Sequence, residues 1–381
     1  MPESGGDPTD MRSIRILHTA DLHLDSPFEA LSAAQASARR DEQRGLLRSL
    51  MELAEREQTD LIFLAGDLLD SGNTFYETGE ELLRVLGNAP CPVFISPGNH
   101  DWYSPRSPWA RLKLPDQVTL FTDPEIRFVS VPSCDARVYG AAFTDRRSGP
   151  LLKGFHAERK PDMYNLLCLH GEVGNPSSAY NPISIEELSD SGMDYIALGH
   201  IHQASGLLQA GQVYYSWPGC PEGRGFDESG EKTVNLVELS PDGCDLQQLS
   251  IAGRHYRKMS LDISDADPLL LIHTSLPDDT VRDIYRITLK GETAAAPDLH
   301  RLHQNLDEMF FALQLRDETV LRRSVWESAG DDTLRGLFLT RLKERFDEAG
   351  DDSQRAHIEQ AARWGLAALD NAEEVAVHEN P

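Results

Sequence analysis

The stretch Ile14-Arg-Ile-Leu-His-Thr-Ala-Asp-Leu-His23 sets the pattern from which the fold of this 381-residue chain can be predicted. It opens with apolar, β-prone residues and ends in two side chains that can bind metal, Asp21 and His23. If such runs are neighbouring strands, the polar blocks that follow them meet at one edge of a sheet. The pattern recurs at Leu61–Ala65 with Gly66-Asp67, Val93–Ile95 with Gly98-Asn-His-Asp101, Leu166–Leu169 with His170-Gly171, and Tyr195–Leu198 with Gly199-His-Ile-His202.

The candidate ligands in these blocks combine carboxylate, amide and imidazole groups and include no thiolate. Such a set suits Mn²⁺, Fe²⁺ or Zn²⁺ better than Cu⁺. Two cations about 3.5–4 Å apart, bridged by a carboxylate, can hold the attacking and leaving oxygens of a phosphoryl displacement. Asp67 is the candidate bridge because it stands in the middle of the series. The predicted metal ligands are Asp21, His23, Asp67, Asn99, His170, His200 and His202.

Each block taken alone is a weak indication of a metal site. A Gly-Asp pair after an apolar run is usually the start of a loop, a Gly-His pair is more often structural, and short motifs match by chance. The prediction of a two-metal centre therefore depends on the ordered recurrence of the blocks, each directly after an apolar run.

In order and in composition the blocks resemble the calcineurin-like metallophosphoesterases, across roughly residues 14–202. The resemblance implies a four-layer α/β/β/α sandwich and two divalent cations, with Mn²⁺ favoured over Fe²⁺ and Zn²⁺. It also implies that a hydroxide bridging the metals attacks phosphorus. One cation would take Asp21, His23, Asp67 and His202, and the other would take Asp67, Asn99, His170 and His200.

Two further residues have expected catalytic roles. By the same resemblance His100 stays free of metal and protonates or stabilises the leaving oxygen, a task that suits an imidazole because its charge changes near neutral pH. Asp70 has two open interpretations. It pairs with the catalytic histidine and orients its ring, or it caps the turn towards Ser71-Gly72-Asn73. For Glu172 and Asp101, which adjoin ligands, a supporting or turn role is expected.

Within the family the chain resembles the SbcD-type DNA repair exonucleases. The opening His18–Asp25, the block Ala65–Asp70 and the segment Pro218–Lys232 carry this similarity. Cys220 and Glu222 depart from that branch, where a small hydroxyl or Asn and a Gln are expected, which affects the DNA-facing surface and not the metal site. The similarity implies a DNA substrate, an SMC-like ATPase partner and a smaller C-terminal α+β domain that caps the site; a homodimer stays open.

Composition limits these expectations. The net charge of −26 opposes nucleic-acid binding, because contacts to phosphate normally come from Lys and Arg. Two basic stretches could form a local positive track or could simply be solvated. Five cysteines without a C-x-x-C pair favour a reducing, cytoplasmic location, and no apolar run is long enough to span a membrane. The basic stretches contain Arg137, Arg146, Arg147, Lys153, Arg159 and Lys160, and then Arg254, His255, Arg257 and Lys258.

The length predicts two domains. We expect a flexible tail at 1–12, a catalytic domain at 13–252, a capping and partner-binding domain at 253–370, and an acidic tail at 371–381. Helices are predicted at 44–56 and 80–86, and in the capping domain at 299–314, 333–348 and 353–369, where apolar residues recur at helical spacing.

The predicted function is that of a two-metal phosphodiesterase, specifically a DNA exonuclease subunit. One rival is a small-molecule phosphodiesterase or phosphatase on the same two metals, which the acidity favours and the large C-terminal region opposes. A second rival is a non-catalytic scaffold that keeps the metal site for its shape, which the complete ligand set and His100 oppose.

Overall fold

The computed structural model describes residues 11–70, 74–264, 266–322 and 324–369, so the two predicted tails lie almost entirely outside the described residues. In chain order the strands are β1 (Ile14–Thr19), β2 (Leu61–Leu64), β3 (Val93–Ile95), β4 (Val118–Leu120), β5 (Arg127–Val131), β6 (Ala136–Gly140), β7 (Tyr164–His170), β8 (Glu172–Val173), β9 (Pro182–Ile183), β10 (Tyr195–Gly199), β11 (Leu208–Ala210), β12 (Val213–Ser216), β13 (Val234–Ser240), β14 (Gly243–Leu249), β15 (Tyr256–Asp262), β16 (Ile284–Lys290), β17 (Glu292–Thr293), β18 (Ala312–Asp317) and β19 (Val320–Leu321).

The helices lie between these strands and after them, and none among the described residues is long and apolar enough to cross a bilayer. In chain order they are α1 (Ala33–Arg56), α2 (Tyr76–Gly87), α3 (Pro108–Arg111), α4 (Ile185–Asp190), α5 (Pro268–Ser275), α6 (Leu299–Leu306), α7 (Leu334–Glu348) and α8 (Asp352–Leu369). Helix α1 begins with a capping box, in which Ser32 and Gln35 satisfy each other's backbone nitrogens.

Two six-stranded sheets form the main body. The first has the order β14-β13-β1-β2-β3-β4, and the second has the order β11-β12-β10-β7-β6-β5. In the first sheet β1 to β4 run parallel, and in the second β12, β10, β7 and β6 run parallel. Parallel neighbours end at the same edge, so the polar residues that follow them are brought together.

The central strands are buried on both faces, which accounts for their continuous apolar sequences. Along β2, Leu61 and Phe63 belong to a core shared with the second sheet, whereas Ile62 and Leu64 face a core formed with α1 and α2. Along β7, alternate residues enter the shared core and a third core that includes Leu188 of α4. The two sheets therefore pack face to face with helices outside, and the predicted four-layer α/β/β/α sandwich is confirmed.

The predicted strands before each ligand block are confirmed, and the predicted helix at 44–56 is the second half of α1. The predicted helix at 299–314 is wrong beyond Leu306. A short 3₁₀ turn at Asp307–Met309 is followed by the strand β18, which completes a three-stranded sheet of order β15-β16-β18. Phe310, which the sequence placed on the helical stripe, is buried against Tyr285, so packing against a strand overrides the helical spacing.

The chain divides into two compact units. The first comprises the described residues up to Met259, together with Leu276–Ile287 and His300–Arg316. The second comprises Ser260–Ser275, Thr288–Leu299 and the described residues from Asp317. In the second unit α7 and α8 pack around Leu339 and Ala362. The boundary expected between 252 and 253 stays a prediction.

Candidate metal centre

The structure brings all seven predicted ligands to one edge of the sandwich. Asp21 and His23 follow β1, Asp67 follows β2 and Asn99 follows β3, all in the first sheet. The second sheet contributes the others: His170 ends β7, and His200 and His202 follow β10. Four of these residues have left-handed backbone, which costs about 1–3 kcal/mol for a residue other than glycine and is concentrated at functional sites. The φ angles are 54° at Asp21, 45° at His23, 50° at Asp67 and 99° at His200.

The glycines that precede two of the ligands allow the sheets to approach each other. A Cβ at Gly66, where φ is 89°, would overlap the imidazole of His170 from the opposite sheet. A Cβ at Gly199 would collide with the carbonyl oxygen of Ala65 and with the same imidazole. The Gly-Asp and Gly-His motifs therefore reflect close contact between backbone and ligand.

The first ligand cluster contains Asp21, His23 and His202. The Nε2 atoms of His23 and His202 are 3.2 Å apart, and Asp21 Oδ1 is 3.9 Å from the first and 3.6 Å from the second. Each ring binds a carboxylate through its other nitrogen: His23 Nδ1 is 3.1 Å from Asp70 Oδ1, and His202 Nδ1 is 2.6 Å from Glu228 Oε1. Because carboxylates only accept, the Nδ1 atoms carry the hydrogens and the two Nε2 lone pairs face each other. A cation between them removes this repulsion.

The second cluster is formed by Asp67, Asn99, His170 and His200. His170 Nδ1 donates to the carbonyl oxygen of Ala65 at 2.9 Å, so its Nε2 is a lone pair. That lone pair faces two further acceptors, Asn99 Oδ1 at 3.0 Å and Asp67 Oδ2 at 3.5 Å. His200 Nδ1 lies 3.1 Å from Asn99 Oδ1. Asp67 Oδ2 is also 3.8 Å from His23 Nε2, which places Asp67 between the two clusters.

The donor set therefore fits two divalent cations, because acceptor atoms converge in both clusters and the outward nitrogens of His23, His170 and His202 are each held by an acceptor. Burial would lower the pKa of His170, but the Asp67 carboxylate raises it to about 9. Burial also opposes the charged form of His202, but hydrogen bonds with Asp21 and Glu228 raise its pKa to about 9. Burial would raise the pKa of Asp67, yet His170 and His23 hold it well below its usual range.

His100 lies beside both clusters and is the more open of the imidazoles near them, with 41% of its side chain exposed. Its backbone nitrogen donates to Asp67 Oδ1 at 2.8 Å, and its Nδ1 donates to the backbone carbonyl of Asp70 at 3.0 Å. This second bond fixes the tautomer and leaves Nε2 free to face substrate. A nitrogen of His100 also lies within 4.8 Å of ligand atoms of His23 and Asp67, so its freedom from metal stays a prediction.

The carboxylate of Asp70 lies near both His23 and His100 and is closer to His23. It binds His23 Nδ1 and Arg224 Nη1, at 3.1 and 3.2 Å, whereas its closest oxygen is 3.9 Å from His100 Nδ1. Asp70 thus holds the predicted ligand His23 through its carboxylate, and the backbone carbonyl of Asp70 holds His100. The alternative, capping of the turn at 71–73, concerns residues outside those described.

Asp101 links the loops that follow β2 and β3. Its two carboxylate oxygens accept hydrogen bonds from the backbone nitrogens of Asp67, Leu68, Leu69 and Gly98, at 3.2, 2.9, 3.3 and 2.8 Å. Because it is fully buried beside Asp67, its pKa is raised to about 6. Glu172 instead accepts from Asn175 in a turn, at 3.1 Å.

Two residues of the site, Arg224 and Glu228, were missed as such from the sequence, which assigned their segment to a DNA-facing surface. Glu228 accepts from His202 and from Arg224, whose guanidinium also reaches Asp70. The segment approaches the ligands only through the tertiary fold. No spacing rule in the sequence connects it to them.

The second basic stretch is largely neutralised by acidic neighbours, whereas in the first only Arg159 has an ion-pair partner among the described residues. Arg159 pairs with Asp194, Arg254 with Glu42 and Arg257 with Asp283. Arg146 and Arg147 are exposed and have no ion-pair partner among the described residues. They follow Phe143, which packs edge-on against His170 at 5.5 Å between ring centroids, so these two arginines lie close to the site in the chain.

Comparison with known proteins gives three informative relatives. The chain is 28% identical to the uncharacterized metallophosphoesterase YhaO of Bacillus subtilis, over 91% of this chain and 89% of that protein. It is 26% identical to the SbcD component of the nuclease SbcCD of Bacillus subtilis, over 60% of this chain and 67% of that protein. It is also 26% identical to the DNA double-strand break repair protein Mre11 of Methanosarcina mazei, over 64% of this chain and 39% of that protein.

The family model for calcineurin-like phosphoesterases matches residues 14–204, which is half of the chain and contains every predicted ligand. This match agrees with the observed sandwich and with two ligand clusters that share an aspartate at one sheet edge. The chain is therefore a member of the calcineurin-like phosphoesterase family, whose active centres hold a pair of metal ions.

Proposed function

We propose that this protein is a metal-dependent DNA exonuclease that works in the cytoplasm as the nuclease subunit of a complex with an SMC-like ATPase. The observation that carries the phosphodiesterase chemistry is the arrangement of two acceptor clusters around Asp67, with the open imidazole of His100 beside them. One cluster would hold one cation through Asp21, His23 and His202, and the other would hold the second through Asn99, His170 and His200.

Manganese is the cation we favour, because carboxylate, amide and imidazole ligands together suit Mn²⁺ and no thiolate competes for a softer ion. When bound, the two cations supply Lewis acidity and a nucleophilic oxygen for attack on phosphorus. The chain's own residues hold Asp67 between the clusters: its backbone nitrogen binds Asp101, and its Oδ1 accepts from His100.

His100 is the proposed general acid. Its Nδ1 is engaged by the carbonyl of Asp70, so a proton that the ring delivers leaves from Nε2. With two-fifths of the side chain exposed, that atom can reach a bound phosphodiester. Protonation of the leaving oxygen by a positioned imidazole contributes about 10²–10⁴-fold to a rate.

A DNA substrate is supported by the names of two relatives, a nuclease subunit and a double-strand break repair protein. It is also supported by Arg146 and Arg147, which are exposed, follow Phe143 closely in the chain and can contact phosphate. The net charge of −26 counts against extended contact with a duplex and favours binding at DNA ends or single strands.

The rival is a small-molecule phosphodiesterase on the same centre. A direct test incubates the full chain and Mn²⁺ with linear duplex DNA, with single-stranded DNA, with cyclic nucleotides and with bis(p-nitrophenyl) phosphate, in the presence and absence of the candidate ATPase. Shortening of DNA from its ends supports the proposal. Cleavage of cyclic nucleotides without cleavage of either DNA, even with the ATPase present, contradicts it. Two bound metals without turnover of any substrate would instead favour the scaffold.

A further inference from the structure

We propose that Glu228 and Asp70 are a pair of positioning residues, joined by Arg224, that make the cation at Asp21, His23 and His202 the more tightly held of the two. The inference rests on the proposed two-metal centre and concerns how this chain distributes affinity between its metals. It follows from the group that accepts a hydrogen bond from the outward ring nitrogen of each histidine ligand.

Glu228 determines the orientation of His202. Its Oε1 lies 2.6 Å from His202 Nδ1, so the imidazole donates there and presents Nε2 to the cation. Glu228 is itself buried, with 7% of its side chain exposed. Its other oxygen accepts from the backbone nitrogen and the Nε of Arg224, at 2.8 and 3.3 Å, which holds the carboxylate in place. A carboxylate behind a ligating imidazole fixes its tautomer and raises its basicity.

Asp70 does the same for His23, and Arg224 joins the two carboxylates. The guanidinium Nη1 donates to Asp70 Oδ1 at 3.2 Å, and Nη2 donates to Glu228 Oε1 at 2.7 Å. Nε, Nη1 and Nη2 of Arg224 thus each donate to one of these carboxylates, which fixes the position of both.

The histidines of the second cluster have weaker support. His170 donates to a neutral carbonyl, that of Ala65. His200 Nδ1 faces the predicted ligand oxygen of Asn99, so it lies on the metal side of the ring, and the ring packs against Tyr180, with 4.9 Å between ring centroids. The bond from His170 to the Ala65 carbonyl adds no negative charge behind that ligand.

The charged groups around the first cluster also bear on this ranking of the two metal sites. Asp67 is common to both clusters, and Asp21 is a predicted ligand of the first. Asp70 and Glu228 stand behind the first cluster, together with the positive charges of Arg224 and of Lys232, whose Nζ donates to the carbonyl oxygen of His202 at 3.3 Å. Both imidazoles of the first cluster therefore have a carboxylate behind them, whereas His170 of the second has a neutral carbonyl, and a carboxylate in this position favours a divalent cation. Loss of such an outer partner weakens metal binding by about 10–100-fold.

The experiment titrates Mn²⁺ into the metal-free full chain by calorimetry and follows the electron paramagnetic resonance of the bound ions. The wild type should bind two ions in two distinguishable steps. Glu228→Gln keeps the side-chain shape and removes the charge, and it should weaken the tighter step by about 10-fold with the weaker step unchanged. His200→Ala should weaken the weaker step alone. Arg254→Gln, which breaks a similarly buried ion pair with Glu42 away from the ligands, should change neither step.

Arg224→Lys provides a second test, because it keeps the charge and cannot bind both carboxylates in the same geometry. It should also weaken the tighter step. If Glu228→Gln or Arg224→Lys leaves the tighter step unchanged, or weakens both steps equally, the proposed positioning role is wrong. A wild type that binds fewer than two ions contradicts the two-metal centre itself, which separates the failure of the proposed function from the failure of this inference.

Discussion

The backbone nitrogen of His200 donates to both carboxylate oxygens of Asp21, at 3.3 and 3.0 Å, although the two residues are 179 positions apart. This contact connects the end of β10 in the second sheet to the end of β1 in the first. It fixes the carboxylate of one predicted ligand against the backbone of another. The metal centre thus joins the two sheets of the sandwich.

The first prediction concerns metal binding and stability. Because acceptor atoms from both sheets converge, Mn²⁺ should stabilise the metal-free protein against heat. A ligand at 100 times its Kd adds about 2.7 kcal/mol to the free energy of unfolding, so the melting temperature should rise by several degrees. Differential scanning calorimetry with Mn²⁺, and with K⁺ as the control, measures the shift. Equal melting temperatures in both salts would contradict a specific divalent site.

The second prediction concerns Asp67, which is nearly inaccessible and lies 3.5 and 3.8 Å from the Nε2 atoms of His170 and His23. Asp67→Asn keeps the volume and removes the bridging charge. We expect loss of at least one of two Mn²⁺ ions and of phosphodiesterase activity. Elemental analysis after dialysis checks this, with Asp116→Asn, an exposed position, as the control. Full occupancy and normal turnover would show that Asp67 is not the bridge.

The third prediction separates catalysis from metal binding. His100→Ala should retain both ions and lose about 10²–10⁴-fold in kcat, the span expected for a general acid. Metal content and turnover of bis(p-nitrophenyl) phosphate are measured together, with His357→Ala on α8 as the control. A variant that loses an ion would show that His100 is a ligand.

A fourth prediction tests the DNA-binding surface. Replacing Arg146 and Arg147 by Gln should weaken binding of DNA and leave hydrolysis of the small phosphodiester unchanged, because neither side chain belongs to the ligand clusters. The dependence of log K on log salt should become shallower by about one for each lost phosphate contact. Binding assays between 50 and 200 mM salt, roughly the range over which such slopes are resolved, provide the measurement. Unchanged affinity and slope would remove these arginines from the interface.

The fifth prediction concerns pH. His18 is fully buried and its Nε2 donates to the carbonyl of Leu198, so Nδ1 accepts from the hydroxyl of Tyr195, at 2.8 Å. Tyr195 in turn contacts Ser216 at 2.7 Å, and Asn235 donates to Ser216. Burial lowers the pKa of His18 to about 3 from its ordinary value of 6.5. This network requires the neutral ring.

The unfolded chain binds a proton on His18 at a higher pH than the folded chain does. The contribution of neutral His18 to the free energy of unfolding is therefore complete above pH 6.5 and is lost as the pH falls towards 3. Between these two pH values, His18 lowers the free energy of unfolding by about 1.4 kcal/mol for each pH unit. Urea denaturation at several pH values should show that the free energy of unfolding depends less steeply on pH in His18→Asn than in the wild type. Parallel curves would mean that His18 is not neutral in the fold.

The sequence was sufficient for the strands and the ligand blocks because both depend on local pattern. Apolar runs marked β1, β2, β3, β7 and β10, and the parallel order of strands brought the residues after them to one edge. The partner of Asp70 and the role of Glu228 were not predictable in this way, because they depend on a loop from another part of the chain. The end of α6 was mispredicted since helical spacing at 299–314 did not reveal the pairing of β18.

Because the ligands come from both sheets, the complete metal site exists only after both sheets have formed. Asp21 and His202 lie on segments that meet only after β1 and β10 have joined their separate sheets, so a local segment of the unfolded chain offers at most a pair of ligands, such as Asp21 and His23. The three apolar cores of the sandwich are complete without any ion. We therefore expect the sandwich to fold before it binds metal, and the supply of cation to determine how much of the folded protein carries both ions.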